Sequence, residues 1–205
     1  MESFLRELIG HGDQDAVWLK AQQDITYRAL GRQVDELAHT FRAHRIDGGH
    51  AVLVDARTHF TALCAVFALW AVDAQVVLSA HGLDPHEVAR ANGARYRLSF
   101  GVCRDASLAG TEVVVRPQAM PLGPRSADCL VVLERDGGRR SWSAAELLAE
   151  LRERTRHVPS PRQESFLDAG GAHTAAGVFV DTVLTCTYRG GCLRTPHHQL
   201  TPIGV

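Results

Sequence analysis

The stretch AVLVDARTHFTALCAVFALWAVDAQVVLS (51–79) decides the fold. AVLVDA (51–56) reads as a short apolar strand, Thr58 is placed to cap a helix from about His59 to Ala71, and QVVLS (75–79) reads as the next strand. Working upstream, ITYRALGRQVDELAHTFRAHRI (25–46) offers Thr26 as an N-cap. It then spaces Leu30, Val34, Leu37, Ala38 and Phe41 at three- and four-residue intervals, which makes one face of an amphipathic helix, and Gly48-Gly49 follow it. Downstream, LDPHEVARANGA (83–94) is a capped helix with Asp84 as N-cap, Pro85 in the first turn and Gly93 near its end, leading to the strand YRLSF (96–100). Strand, helix, strand, helix, strand in this order predicts parallel pairing. The fold class expected is α/β, a mainly parallel sheet flanked by helices.

Composition narrows the function. The chain has 205 residues, 45% hydrophobic and 22% charged, which excludes disordered, collagenous and coiled-coil classes. Its 22 basic and 23 acidic residues leave a net charge of −1, too little positive field for a nucleic-acid partner. All the basic residues but Lys20 are arginine, so amine chemistry has a single candidate. The five cysteines form no CxxC pair, and MESFLRELIGHGDQD (1–15) lacks the order of a signal peptide, so a reducing cytoplasm is the expected compartment. The longest apolar run, Phe60 to Ser79, is broken by Asp73 and Gln75 and reads as helix then strand, so no membrane span is expected.

Three stretches organise the chain: a first α/β subdomain over 1–116, a proline-rich link over 117–128 with Pro117, Pro121 and Pro124, and a second α/β segment over 129–205 packing on the first. The second holds the strand CLVVLE (129–134), a turn RDGGRRS (135–141), a helix from about Ser143 to Arg156, a loop around Pro159 and Pro161, and a helix Ala175–Thr187. The end, RGGCLRTPHHQLTPIGV (189–205), reads as a short strand plus a tail.

The segments 25–46, 51–79 and HGLDPHEVARANGARYRLS (81–99) resemble, one after another, the opening of the large domain in the superfamily of AMP-forming acyl-CoA synthetases and nonribosomal-peptide adenylation domains. SADCLVVL (126–133) resembles the strand before that family's phosphate-binding loop. The family's loop is rich in Ser, Thr and Gly and ends in Pro-Lys-Gly, so its amides and hydroxyls cradle the ATP phosphates. Here ERDGGRRSWS (134–143) puts Glu134 and Asp136 where small hydroxyl residues belong, and arginines, Arg139 and Arg140, where the lysine belongs. Each carboxylate facing a triphosphate costs about 1 kcal/mol even in a watery setting. The resemblance therefore implies a degenerate phosphate loop and no adenylation by this chain alone. AGGAHTAAG (169–177) resembles the segment in which the family lines its acyl or aryl pocket with an aromatic-His pair, with His173 at the matching position and Ala172 in place of the aromatic.

The residues themselves offer a few candidate chemistries. His173 and Asp181 are eight apart in a helical pattern, about 80° apart in azimuth, and suit acid/base catalysis if Asp181 is buried among its apolar neighbours. The plainer alternative pairs Asp181 with an arginine and leaves His173 as a cap. Gly170, Gly171 and Thr174 at the helix entry are candidates to hold a carboxylate. Arg57, after a parallel strand, is a candidate for bidentate carboxylate binding. Cys186, Cys192, His197 and His198 have zinc-ligand chemistry at an unrecognised spacing, so no metal site is expected. No cofactor is expected either.

Two functions follow. One is an ATP-independent enzyme of specialised metabolism that binds an acyl or aromatic carboxylate, free or carrier-bound, and performs a cyclisation, condensation or elimination through His173 and Asp181. The alternative is a non-catalytic pseudo-synthetase partner of a ligase or carrier protein. A homodimer or a complex with a biosynthetic enzyme is expected in both.

Overall fold

A computed structural model describes residues 2–10, 13–20, 24–54, 60–80, 82–100, 113–117, 126–134, 136–156, 164–166 and 178–194. Its first elements are α1 (Glu2–Ile9), β1 (Val17–Lys20), β2 (Ile25–Thr26) and α2 (Tyr27–Ala43). Next come β3 (Ala51–Val54), α3 (Phe60–Ala71), β4 (Gln75–Ser79), α4 (Pro85–Ala91), β5 (Ala94–Phe100) and β6 (Val113–Pro117). The chain continues through β7 (Asp128–Leu133), β8 (Arg139–Ser143), α5 (Ala144–Thr155) and β9 (Glu164–Phe166). A π-helical segment, Val178–Leu184, then runs into α6 (Thr185–Tyr188) and β10 (Cys192–Arg194).

The main sheet has six strands in the order β6-β5-β3-β4-β7-β8. Its centre, β5-β3-β4-β7, is parallel, with Leu53 beside Val77 and Val77 beside Val131. β6 and β8 close the edges antiparallel, β6 on β5 and β8 on β7. A smaller sheet, β2-β1-β10-β9, joins the two ends of the described chain, pairing Leu19 of β1 with Leu193 of β10. The expected α/β class is the observed one. Segment 129–205 completes the same two sheets, since β7 and β8 extend the main sheet and β10 pairs with β1.

Local chemistry sets the helix starts. Thr26 accepts the Ala29 N–H, Asp84 accepts the His86 N–H, and Ser143 forms a capping box with Glu146. Several elements differ from the sequence expectation. The turn read over 135–141 is a hairpin whose second half is the strand β8. A residue pattern with Arg139, Arg140 and Ser141 exposed and only Trp142 buried shows too little alternation to reveal it. β1, β2 and β9 were not expected, because each spans four residues or fewer and gains its pairing from distant chain. The helix expected over Ala175–Thr187 is, where described, π-helical before it becomes α6.

The core gathers around α3. From Cys64 to Trp70 every side chain is buried, so the helix has no solvent face there. Trp70 meets Phe4 of α1 edge to face with centroids 5.2 Å apart, meets Phe179 at 6.3 Å, and donates its indole N–H to the carbonyl of Cys129 on β7 at 3.0 Å. Trp18 of β1 packs its ring on Phe67 and donates to the hydroxyl of Thr187, which is fully buried, at 2.9 Å. Tyr27 donates its hydroxyl to the carbonyl of Gly191 at 2.8 Å, and burial keeps that phenol protonated. Among the described residues, no helix is long and apolar enough to cross a membrane.

Thr187→Val removes the buried acceptor of the Trp18 indole and is expected to lower the unfolding free energy by about 1–3 kcal/mol. Urea denaturation followed by tryptophan fluorescence measures the loss, and Thr187→Ser retains most of the stability.

Candidate functional site

Open α/β sheets place ligands beyond the carboxyl ends of their parallel strands. At this edge lie the ends of β3, β4, β5 and β7: Val54, Ser79, Phe100 and Leu133. Arg57 follows β3, and His173, Gly170, Gly171 and Thr174 precede the π-helical segment; all five lie outside the described residues. Asp181 is the candidate that can be placed.

Asp181 is exposed on the π-helical segment, 48% accessible, and its Oδ1 lies 2.6 Å from the Arg154 guanidinium on α5. Arg154 also forks onto Glu150 at 2.6 and 3.1 Å, and Glu150 accepts the Trp142 indole N–H. Arg140 covers the face of Trp142 at 4.9 Å and reaches within 4.0 Å of Glu150. The result is a ribbon of charge across β8, α5 and the π-helical segment. Asp181 serves there as an ion-pair partner at the surface, and its apolar sequence neighbours Phe179, Val180 and Val183 turn into the core instead.

The hairpin between β7 and β8 is the feature nearest to a phosphate loop. Leu133 accepts the Ala80 N–H at 2.9 Å, which ties the hairpin to the end of β4. Within the turn, Glu134 donates its N–H to Gly138 O at 2.8 Å, Gly137 donates to Glu134 O at 3.1 Å, and Gly138 donates to Asp136 Oδ1 at 2.8 Å. Gly137 has φ +86, a left-handed conformation that makes the tight turn accessible to glycine. These three amides are spent on the chain's own oxygens. A carboxylate, Asp136, already occupies the position an external anion would take at Gly138 N. Arg139 points away along the sheet and comes within 3.8 Å of Asp128.

The cysteines differ in environment. Burial pushes the Cys129 thiol up to about 12 and raises that of Cys64 well above its ordinary range, so neither is a thiolate at neutral pH. Cys186 is buried and Cys192 half-buried, close to the ring of Tyr27, while His197 and His198 lie outside the described residues. Among the described residues no group of three or more His, Cys, Asp or Glu could hold a metal. At the opposite edge of the sheet, where β3, β4, β5 and β7 begin, a cleft of about 570 Å³ opens. Sequence reasoning did not find this cleft, because its walls are four turns far apart in the chain.

No protein-family model matches the chain, and no curated protein matches its sequence. Solved structures match its fold. The N-terminal subdomain of NpsA from Klebsiella oxytoca, in complex with 3-hydroxyanthranilyl-AMSN, superposes with TM-score 0.68 at 18% identity, over 95% of this chain and 52% of that one. MenE from E. coli with bound OSB-AMS superposes with TM-score 0.66 at 16% identity, over 91% of this chain and 44% of that one. A four-domain nonribosomal peptide synthetase bound to AMP and glycine superposes with TM-score 0.68 at 15% identity, over 97% of this chain and 16% of that one. The chain therefore has the α/β fold of the N-terminal subdomain of adenylate-forming enzymes, as the resemblance of segments 25–46, 51–79 and 81–99 implies. It spans about half of the NpsA chain and less of the others.

Two outcomes follow from the charge ribbon. Asp181→Asn is expected to change stability by less than about 1 kcal/mol, the range of exposed ion pairs, by denaturant titration. Burial alone would raise the Glu150 carboxyl, but the hydrogen bonds from Arg154 and Trp142 and the charges of Arg154 and Arg140 outweigh it and hold it below its ordinary value. Its stabilising contribution is thus full above the unfolded value of about 4.3 and is lost as pH falls through the lowered folded value. The stability difference between wild type and Glu150→Gln is expected to shrink as pH drops from about 6 to about 3.

Proposed function

Proceeding from this fold, we propose that the chain does not activate a carboxylate with ATP and acts as a non-catalytic, synthetase-like partner of a ligase or carrier protein. Its cargo is an acyl or aromatic carboxylate or the carrier-bound form. The observation that carries this reading is the β7–β8 turn, whose Glu134, Gly137 and Gly138 amides donate to Gly138 O, Glu134 O and Asp136 Oδ1. A phosphate cradle works by aiming unspent amides and a cation at the ligand. This turn offers carboxylates instead, and each one opposes a triphosphate by about 1 kcal/mol before any desolvation.

The exposed Asp181–Arg154 pair supports the partner reading over the acid/base enzyme. A proton donor at an active site has to face the substrate, whereas this carboxylate is committed to the Arg154 guanidinium at 2.6 Å. The enzyme reading, a cyclisation, condensation or elimination, then rests on His173 alone. Arg57, Gly170, Gly171 and Thr174 remain the proposed carboxylate-binding residues. The proposal includes a cytoplasmic location and assembly as a homodimer or with a biosynthetic enzyme. The peptide synthetase that shares the fold is itself a four-domain chain.

ATP–pyrophosphate exchange with a panel of acyl and aryl acids tests the proposal, together with thermal denaturation in Mg-ATP. No exchange and no thermal shift are expected. Exchange above background, or a shift of several degrees with ATP, overturns it. Turnover of a carrier-bound acyl substrate that disappears in His173→Ala at unchanged melting temperature favours the enzyme instead.

A further inference from the structure

We infer that the outer edge of β8 is a docking strand for an extended segment of a partner protein that carries two adjacent carboxylates. The main sheet ends on this strand, and Arg139, Arg140 and Ser141 are exposed along it. The site uses none of the carboxylate-binding residues of the proposed function, and its test needs neither ATP nor an acyl substrate. The two readings therefore fail separately.

The hairpin fixes which backbone groups face outward. Glu134 donates its N–H to Gly138 O, so these two residues form a hydrogen-bonded pair, and the pairs of an antiparallel ladder alternate. The register sets Leu133 beside Arg139, Val132 beside Arg140 and Val131 beside Ser141. Arg140 therefore bonds to β7, while Arg139 and Ser141 turn their N–H and C=O groups away from it. Leu133 agrees with this phase, because its carbonyl accepts the Ala80 N–H on the β4 side. Two donors and two acceptors on exposed residues thus stand in line, unpaired among the described residues. Such a row is what an added strand pairs with.

The side chains give the chemistry of the partner. Arg139 and Arg140 leave opposite faces of the strand, 53% and 46% exposed. Their nearest carboxylates, Asp128 and Glu150, are 3.8 and 4.0 Å away, beyond hydrogen-bond reach, so neither guanidinium spends an N–H on them. The arginines of α5 differ, since Arg152 and Arg154 hold Glu7 and Asp181 at 2.6 Å. On an added antiparallel strand, one residue falls opposite Arg140 and the next falls opposite Arg139. A carboxylate at each of these two positions accepts a forked, charge-assisted bond from the arginine it faces. A second copy of the chain fits worse. Pairing Arg139 with Ser141 of another β8, and the reverse, uses all four outward groups but sets the two copies of Arg140 opposite each other.

Amide-detected NMR titration of the whole chain tests the site with three end-blocked peptides. They are Thr-Val-Glu-Glu-Val-Thr, its counterpart with Lys-Lys in place of Glu-Glu, and the glutamate peptide N-methylated at its first valine and second glutamate. Saturable shifts are expected at Arg139 and Ser141 with the unmodified glutamate peptide and none with the other two. Ser141→Pro removes an N–H that β7 does not use, so it is expected to abolish binding with the fold retained. The double variant Arg139→Gln, Arg140→Gln is expected to weaken binding about tenfold or more. The inference is overturned by no saturable response up to about 1 mM peptide, by equal binding of the lysine or N-methylated peptide, or by an affinity that either folded variant leaves unchanged. It is also overturned if the free chain sediments as a dimer that Ser141→Pro makes monomeric, which gives the edge to a second copy.

Discussion

The structure depends on one constraint: from Cys64 to Trp70, α3 has no solvent-facing side. With every side chain from Cys64 to Trp70 out of water, the helix must be enclosed on all sides, and no single sheet can do that. The main sheet takes one side, α2 and α1 take others, and the segment Phe179–Leu184 closes the remainder. Two indoles fasten the enclosure. Trp70 bonds to the β7 backbone and Trp18 to Thr187, each giving a buried N–H its acceptor while the ring fills apolar space. Elements more than 150 residues apart in the chain are thereby held to the same helix, with Trp18 and Thr187 separated by 169 positions.

That enclosure gives the two edges of the parallel sheet different chemistry. Every crossover helix starts at the carboxyl edge of the strands and ends at the amino edge. Helix carbonyl ends therefore collect beside His50, Asp73 and Asn92, while the carboxyl edge carries the β7–β8 turn. Neighbours of this fold have been solved in complex with 3-hydroxyanthranilyl-AMSN and with AMP and glycine. Here the turn at the end of β7 folds its own carboxylate onto its own amide.

The ribbon of Arg140, Glu150, Arg154 and Asp181 shows how a polar residue in an apolar stretch is resolved. In sequence, Asp181 among Val178, Phe179, Val180 and Val183 is ambiguous between a buried titratable group and a surface charge. The wider π-helical turn sends Phe179, Val180 and Val183 into the core and leaves Asp181 outside, where α5 supplies a guanidinium. The outcome is set by an arginine 27 positions earlier, on a different element.

Local pattern was enough for the parallel centre of the fold. The apolar runs 51–54 and 75–79, the caps Thr26 and Asp84, the alternation of strand with helix and the handedness of crossovers determine that β3, β4 and β5 lie side by side, because each signal is contained within a few turns of chain. The tertiary structure alone decided what those signals do not encode. The four-residue strand β1 pairs with β10 from the far end of the chain, and β9, three residues long, forms only beside β10. The spent amides of the 134–138 turn, the cleft where the parallel strands begin and the exposed Asp181 all depend on which groups meet after folding. Hydrogen bonds and charge pairs act over a few ångströms in space, whatever the separation in sequence, and so no periodicity announces them.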